Sequence, residues 1–252
     1  MMDYPILEFD PASEAIIEPS RVVHPRDVPE HCVLCFFAEV ISSVCAEDKA
    51  KTIFEIKWED GRHPVYEIDV QGRRLAVVHP GVGAPIAAAR LEELIALGCR
   101  KFMACGGAGV LDRKVAVGHL LVPTSAVRDE GVSYHYLPPG REVQGIPEAV
   151  AAIEPVLAAH GIEYLTCKTW TTDAPYRETA GLVRQRREEG CLTVEMETAA
   201  FFAVARFRGV AFGQILYGGD DVSGLEWDQR EWHRHSIREQ LFWLTAEACL
   251  SL

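Results

Sequence analysis

The sequence predicts a single α/β domain with a mixed, mostly parallel central sheet, strongly twisted or barrel-like, flanked by helices. Two patterns carry this prediction. Short β-branched and apolar runs alternate with longer stretches in which apolar residues recur every three or four positions, and glycine clusters follow several of the apolar runs. Strand–helix alternation lays helices against the faces of a parallel sheet. A chain of 252 residues, 48% of them hydrophobic, is long enough to bury one large core.

Residues 1–30 contain Pro5, Pro11, Pro19, Pro25 and Pro29 among several acids and show no helical period. They read as an N-terminal extended arm, draped over the domain or over a partner subunit. Residues 31–252 follow as one domain. Its expected strands are Val33–Phe37, Val65–Val70, Arg74–His79, Lys101–Cys105, His119–Pro123, Tyr164–Thr169 and Ala211–Tyr217. Its expected helices are Ala84–Leu97, Glu148–His160, Ala180–Glu189, Thr198–Arg208 and Arg234–Leu250. Ligands of such folds gather at the carboxyl ends of strands, so the loops at Gly81, Gly106, Ser125, Asp173 and Gly218 are the candidate walls of a site.

Charge narrows the function classes. A net charge of −12 argues against a nucleic-acid surface, which needs clustered Lys and Arg, although an acidic protein can still hold one small anion at a local positive site. No apolar run reaches the length of a membrane span, and the acidic first 20 residues are unlike a signal peptide. The expected location is cytoplasmic. Eight cysteines, several of them in apolar runs, do not resemble a disulfide framework. Cys32 and Cys35 have redox or zinc spacing, but they sit in the run Cys32-Val33-Leu34-Cys35-Phe36-Phe37 with no second pair to complete a zinc site. They read as core residues of a strand, and no metal is expected.

Four motifs bear chemistry. Pro80-Gly81-Val82-Gly83-Ala84-Pro85 follows an apolar run and precedes a helix; its glycines either let the backbone approach an anion at the helix start or serve a tight turn. Cys105-Gly106-Gly107-Ala108-Gly109 offers the same choice between close contact with a substrate and a plain turn. Val194-Glu195-Met196-Glu197 opens a helix. Its carboxylates suit the vicinal hydroxyls of a ribose and its Met a sugar face, but acids in a first helical turn also stabilise the helix dipole. Gly218-Gly219-Asp220-Asp221 ends an apolar run, where an Asp acts as a general acid or caps a solvated turn.

The order of these four motifs resembles the nucleoside phosphorylase family, which includes purine nucleoside phosphorylases, uridine phosphorylases and related nucleosidases. The segments Pro123–Tyr136 and Thr171–Tyr176 are similar to that family as well. The resemblance spans roughly residues 60 to 250 and implies that residues 31–252 are a catalytic domain. It implies that Glu197 binds the ribose hydroxyls, Met196 packs on the sugar, Glu195 borders the same pocket, and Asp220 helps protonate the departing base. It places Tyr176, Arg177 and Gly107 at the base, and Gly81, Gly83 and Arg62 at a phosphate, with Arg62 reaching over from a neighbouring subunit.

Departures from the family pattern fall mainly at the phosphate. Where phosphorolytic members carry a Gly-Asp-Pro-x-Arg segment after the first strand, Cys32–Phe37 is followed by Ala38-Glu39-Val40-Ile41 with no Arg, and the stretch leading into the second glycine cluster, Met103-Ala104-Cys105, has none either. The resulting expectation is phosphorolysis of a nucleoside, giving free base and ribose 1-phosphate, with phosphate as co-substrate and no cofactor. Water as nucleophile is the near alternative, and a non-catalytic nucleoside-binding protein a further one. Purines are favoured by Asp220 and by the absence of a Gln-x-Arg pair after Tyr176, whereas Arg128–Tyr136 looks more like uridine phosphorylases. A homo-oligomer (dimer, trimer or hexamer) is implied, with no nucleic-acid or membrane partner.

Overall fold

The computed structural model describes residues 4–46, 48–230 and 235–252. In chain order the described residues form α1 (Pro19–Val22), β1 (His31–Cys35), α2 (Ala38–Val44), β2 (Ala50–Trp58), β3 (Gly61–Val70), β4 (Arg73–Val78) and α3 (Ala84–Leu97). There follow β5 (Lys101–Val110), β6 (Leu120–Asp129), β7 (Glu142–Gln144), α4 (Pro147–Ala159), β8 (Tyr164–Thr172), α5 (Ala180–Glu188), β9 (Cys191–Glu195), α6 (Thr198–Arg208), β10 (Ala211–Asp221) and α7 (His235–Leu250).

The strands form one mixed sheet that closes on itself. Its order is β10-β6-β8-β9-β5-β1-β4-β3-β2, and β10 also pairs with β5, which shuts β5, β10, β6, β8 and β9 into a ring. Strand β5 is the fork: Lys101–Cys105 lies beside β1, Gly109 and Val110 pair with β9, and β10 follows most of its length. The runs β4-β1-β5-β10 and β6-β8-β9 are parallel, and antiparallel pairings join them. One face of the sheet is covered by α2, α4 and α7 and the other by α3 and α6, each with its own buried apolar cluster.

Glycines make this closure possible. A Cβ on Gly106 would stand 3.2 Å from the Phe36 ring, one on Gly107 3.2 Å from the Tyr217 ring, and one on Gly109 3.0 Å from Val194. The cluster therefore belongs inside β5, where neighbouring groups press on the backbone, and not in a loop beyond the strand as its composition suggested. Gly218–Asp221 likewise continues β10, with Ala116, Val110 and Val115 packed against Gly218.

Other elements differ from the sequence expectation for identifiable reasons. β2 is a half-exposed edge strand in which Lys51, Glu55 and Lys57 interrupt the apolar pattern. α2 is seven residues long and rich in β-branched side chains; burial of Val40, Ile41 and Val44 outweighs their weak helix preference. Val194 and Glu195, expected at a helix start, instead end β9, a buried strand between β8 and β5, and the helix begins three residues after Glu195. β7 has only three residues. Within residues 4–30 there are a 3-10 turn at Pro5–Leu7 and the short α1. The Arg26 N–H donates to the Leu97 carbonyl at 2.9 Å, and Arg208 pairs with Glu18 at 3.4 Å, so this segment is fastened to α3 and α6. Residues 1–3 of the expected arm and Arg234 of the last expected helix lie outside the described residues. No helix among the described residues is long and apolar enough to cross a membrane.

Candidate active site

The carboxyl ends of β1, β5, β9 and β10 open on a cavity of about 550 Å³. Phe36 and Phe37 line it from the β1–α2 junction, Val82 from the first glycine loop, and Gly106–Gly109 from β5. Val194–Glu197, Gln214, Asp220, Pro175, Glu178 and Arg238 complete the wall. The structure thus brings Gly107, Glu195, Met196, Glu197 and Asp220 to one place although up to 113 positions separate them in sequence (220 − 107 = 113).

The two glutamates divide the work. Glu195 is buried, and both of its oxygens are held by the protein: Oε1 accepts from Thr171 Oγ1 at 2.6 Å, and Oε2 accepts the N–H groups of Glu197 and Thr198 at 2.7 and 2.6 Å. It caps the start of α6, meeting the orphan amides of that helix end. Glu197 is 5% exposed, and its Oε1 accepts the Gly83 N–H at 2.5 Å. Burial first, and then the neighbouring Glu195 charge, pushes the Glu197 carboxyl up to about 8, while the Gly83 N–H opposes the shift. Glu197 is therefore the carboxyl left to meet a ligand, and Glu195 is the group that positions it.

Also on the cavity wall, Asp220 Oδ2 accepts from Trp227 Nε1 at 2.6 Å. The adjacent Asp221 faces the opposite side of β10 and is taken up by Arg113 at 3.2 Å and the Ser223 N–H at 2.8 Å, so only Asp220 is presented to the cavity. Glu178, which the sequence analysis did not single out, lines the same wall. Burial, helped by the Asp220 charge, pushes its carboxyl up to about 7. Glu178 and Asp220 thus stand together on one wall, and the raised carboxyl of Glu178 is suited to delivering a proton.

Several expected positions lie elsewhere. Tyr176 is 99% exposed; Pro175 and Glu178 line the cavity, while Tyr176 and Arg177 do not. Tyr176 instead borders an adjoining hollow of about 520 Å³ with Leu225 and Trp227, because the 3-10 turn at Pro175–Arg177 throws its ring outward. Arg62, expected to reach a neighbouring subunit, sits on the β2–β3 hairpin with a 67% exposed side chain paired to Glu55 and does not line the cavity of its own chain. Gly81 and Gly83 have φ of +82° and +95°, as a tight loop requires, but their N–H groups are taken by His79 Nδ1 and Glu197. The sequence reading also missed Gln214 and Arg238. Arg238 could have been found as a charged residue in the first turns of a helix whose later positions Leu241, Phe242 and Leu244 are buried. Among the described residues no group of three His, Cys, Asp or Glu side chains could hold a metal ion.

Comparison with known proteins adds to this geometry. A family model described as the phosphorylase superfamily matches residues 30–242. The chain is similar to the guanosine phosphorylase of Halorubrum lacusprofundi, at 31% identity over 68% of this chain and 71% of that one. It is also similar to the uridine phosphorylase of Haemophilus influenzae, at 28% identity over 58% of this chain and 64% of that one. Among solved structures, a purine nucleoside phosphorylase from Toxoplasma gondii in complex with immucillin-H superposes with a TM-score of 0.76 at 21% identity, covering 90% of this chain and 95% of that one. This last likeness is one of fold.

Proposed function

Because the chain belongs to the phosphorylase superfamily, we propose that it cleaves the N-glycosidic bond of a nucleoside with phosphate, releasing the free base and ribose 1-phosphate. The observation that carries this reading is one cavity lined both by a sugar-type carboxyl, Glu197 beside Met196, and by an acid pair, Glu178 and Asp220. Glycosidic cleavage builds positive charge on the ribose and negative charge on the departing base. Glu197 accepts hydrogen bonds from the ribose hydroxyls and, when ionised, stabilises the sugar cation; Asp220 and Glu178 supply a proton to the base. Gly107 offers a bare backbone surface on which a flat base can rest, with the Tyr217 ring behind it.

A purine is the preferred base in this reading. Two carboxyls at the base end favour a ring that accepts a proton at nitrogen or presents N–H donors to an ionised oxygen. The relatives named above include both guanosine and uridine phosphorylases, so the preference rests on Asp220 and Glu178. The enzyme is further read as a cytoplasmic homo-oligomer. Eight cysteines that are all buried and free fit a reducing compartment, and exposed Ile17, Val22 and Trp58 around another hollow offer apolar surface for a second copy.

Hydrolysis is the second reading, and one observation favours it. Among the described residues lining the cavity there are four carboxyls and one guanidinium, a poor balance for a phosphate dianion. Product analysis after incubation with inosine, guanosine, adenosine and uridine separates the two. Ribose 1-phosphate formed in proportion to phosphate supports phosphorolysis, whereas free ribose formed at the same rate without phosphate assigns the nucleophile to water. Release of no base from any nucleoside leaves a nucleoside-binding protein.

A further inference from the structure

The geometry points to Arg238, on the first turns of α7, as the residue that holds the phosphate co-substrate. The inference rests on the phosphorolytic reading above and supplies the cation which that reading lacks. The donors expected from the sequence are engaged elsewhere: the Gly81 N–H on His79, the Gly83 N–H on Glu197, and Arg62 on Glu55 at the hairpin. Arg238 is the one Arg or Lys among the described residues that line the cavity, and its wall is otherwise acidic at Glu178, Glu195, Glu197 and Asp220. Among the described residues lining the cavity, this guanidinium is the one positive group that an entering anion meets.

The Arg238 side chain is built in place. It is 12% exposed, its guanidinium carbon lies 5.0 Å from the centre of the Phe37 ring, its Nε donates to the Tyr217 hydroxyl at 3.3 Å, and its Nη1 pairs with Glu39 at 2.5 Å. A guanidinium held over a ring and braced on two sides loses little freedom on binding an oxyanion. The Tyr217 hydroxyl lies 3.2 Å from the point where a Gly107 side chain would begin, so the Arg–Tyr pair borders the glycine strand against which the substrate is read to lie. Glu39 is 43% exposed. It neutralises Arg238 while the cavity is empty and can turn to water when phosphate takes its place, which makes binding an exchange of partners and not the entry of an unpaired charge.

The test compares Arg238→Gln, Arg238→Lys and Glu39→Gln in the full-length protein. Inorganic phosphate is titrated two ways: for turnover at saturating nucleoside, and alone for its effect on the melting temperature. If Arg238 holds phosphate, Arg238→Gln raises the phosphate KM at least about tenfold, leaves the nucleoside KM within about twofold, and abolishes the phosphate-induced rise in melting temperature; Arg238→Lys recovers part of each. Glu39→Gln removes the competing carboxylate and leaves the phosphate KM at or below that of the parent. Equal rises in phosphate KM for Arg238→Gln and Glu39→Gln make the pair a structural tie and overturn the inference. Phosphate-dependent turnover that is indifferent to Arg238 overturns the inference alone. Wild-type turnover indifferent to phosphate overturns the phosphorolytic reading and the inference with it.

Discussion

Glu197 meets two opposed demands. Burial beside Glu195 favours its protonated form, pushed up to about 8, while the Gly83 N–H at 2.5 Å favours the carboxylate. Ribose hydroxyls are additional donors and shift the balance towards the charged form on binding, so the empty site keeps this charge suppressed until a sugar arrives. Glu197→Ala removes the acceptor of about two charge-assisted hydrogen bonds worth roughly 1.5–3 kcal/mol each, and kcat/KM should fall on the order of a hundredfold or more. Steady-state kinetics on the best nucleoside check this; wild-type kcat/KM in the variant would reduce Glu197 to a helix-start residue. Asp220 is tested by its leaving group. Asp220→Asn should lower kcat for an ordinary purine nucleoside by about 10²–10⁴-fold, the usual worth of a general acid. A 7-methylpurine nucleoside already carries positive charge on its base and needs no proton, so the same variant should cleave it at close to the parent rate. An equal loss on both substrates would make Asp220 a positioning residue held by Trp227.

At the scale of elements, the loop between β4 and α3 decides where Glu197 can stand. Gly81 has φ of +82°, and a side chain there would collide with Ile86 and lie 2.8 Å from Arg90 Nη1. Gly81→Ala should therefore destabilise the protein by about 1–3 kcal/mol and displace the Gly83 N–H from Glu197, lowering nucleoside affinity as well as the melting temperature. A melting curve and a nucleoside KM measured together check it, and loss of stability without loss of affinity would separate the loop from the sugar site. This loop was legible in the sequence, because two glycines before a Pro85 helix start announce a positive-φ turn. The parallel strands β1, β4, β5 and β10 were legible too, since burial on both faces leaves unbroken apolar runs. What was not legible depended on contacts made across the fold. Gly106 and Gly107 read as loop residues, because only the closed sheet reveals Phe36 and Tyr217 pressing on them. Glu195 and Glu197 look equivalent in the sequence, yet Thr171, from β8, and the amides at the start of α6 engage both oxygens of Glu195. Glu178 and Arg238 carry no local signal of the cavity they share, since it forms where β10, α7 and the turn after β8 meet.

For the whole molecule, the raised carboxyls make stability a function of pH. Glu197 has an unfolded reference near 4.5 and a folded value of about 8, and Glu178 shifts in the same direction to about 7. The folded state thus keeps protons that the unfolded chain releases, so their stabilising contribution is complete below about 4.5 and is lost as pH rises through 7 and 8. Glu197→Gln cannot ionise; it should melt higher than the parent at pH 9, by an amount on the order of 1 kcal/mol or more, and close to it at pH 5. Thermal denaturation at the two pH values checks this, and equal differences at both would show that the empty site does not suppress the charge. The ring of strands has a further consequence, for biosynthesis. The strand that shuts it, β10, comes last among the strands, and it carries Asp220 while β5, its partner, is made about a hundred residues earlier (211 − 101 = 110). A growing polypeptide must keep the apolar edges of β5 and β6 unpaired until that strand emerges, an interval in which chaperones or aggregation compete with docking. The proposed nucleoside site is complete only once β10, which carries Asp220, seats against β5.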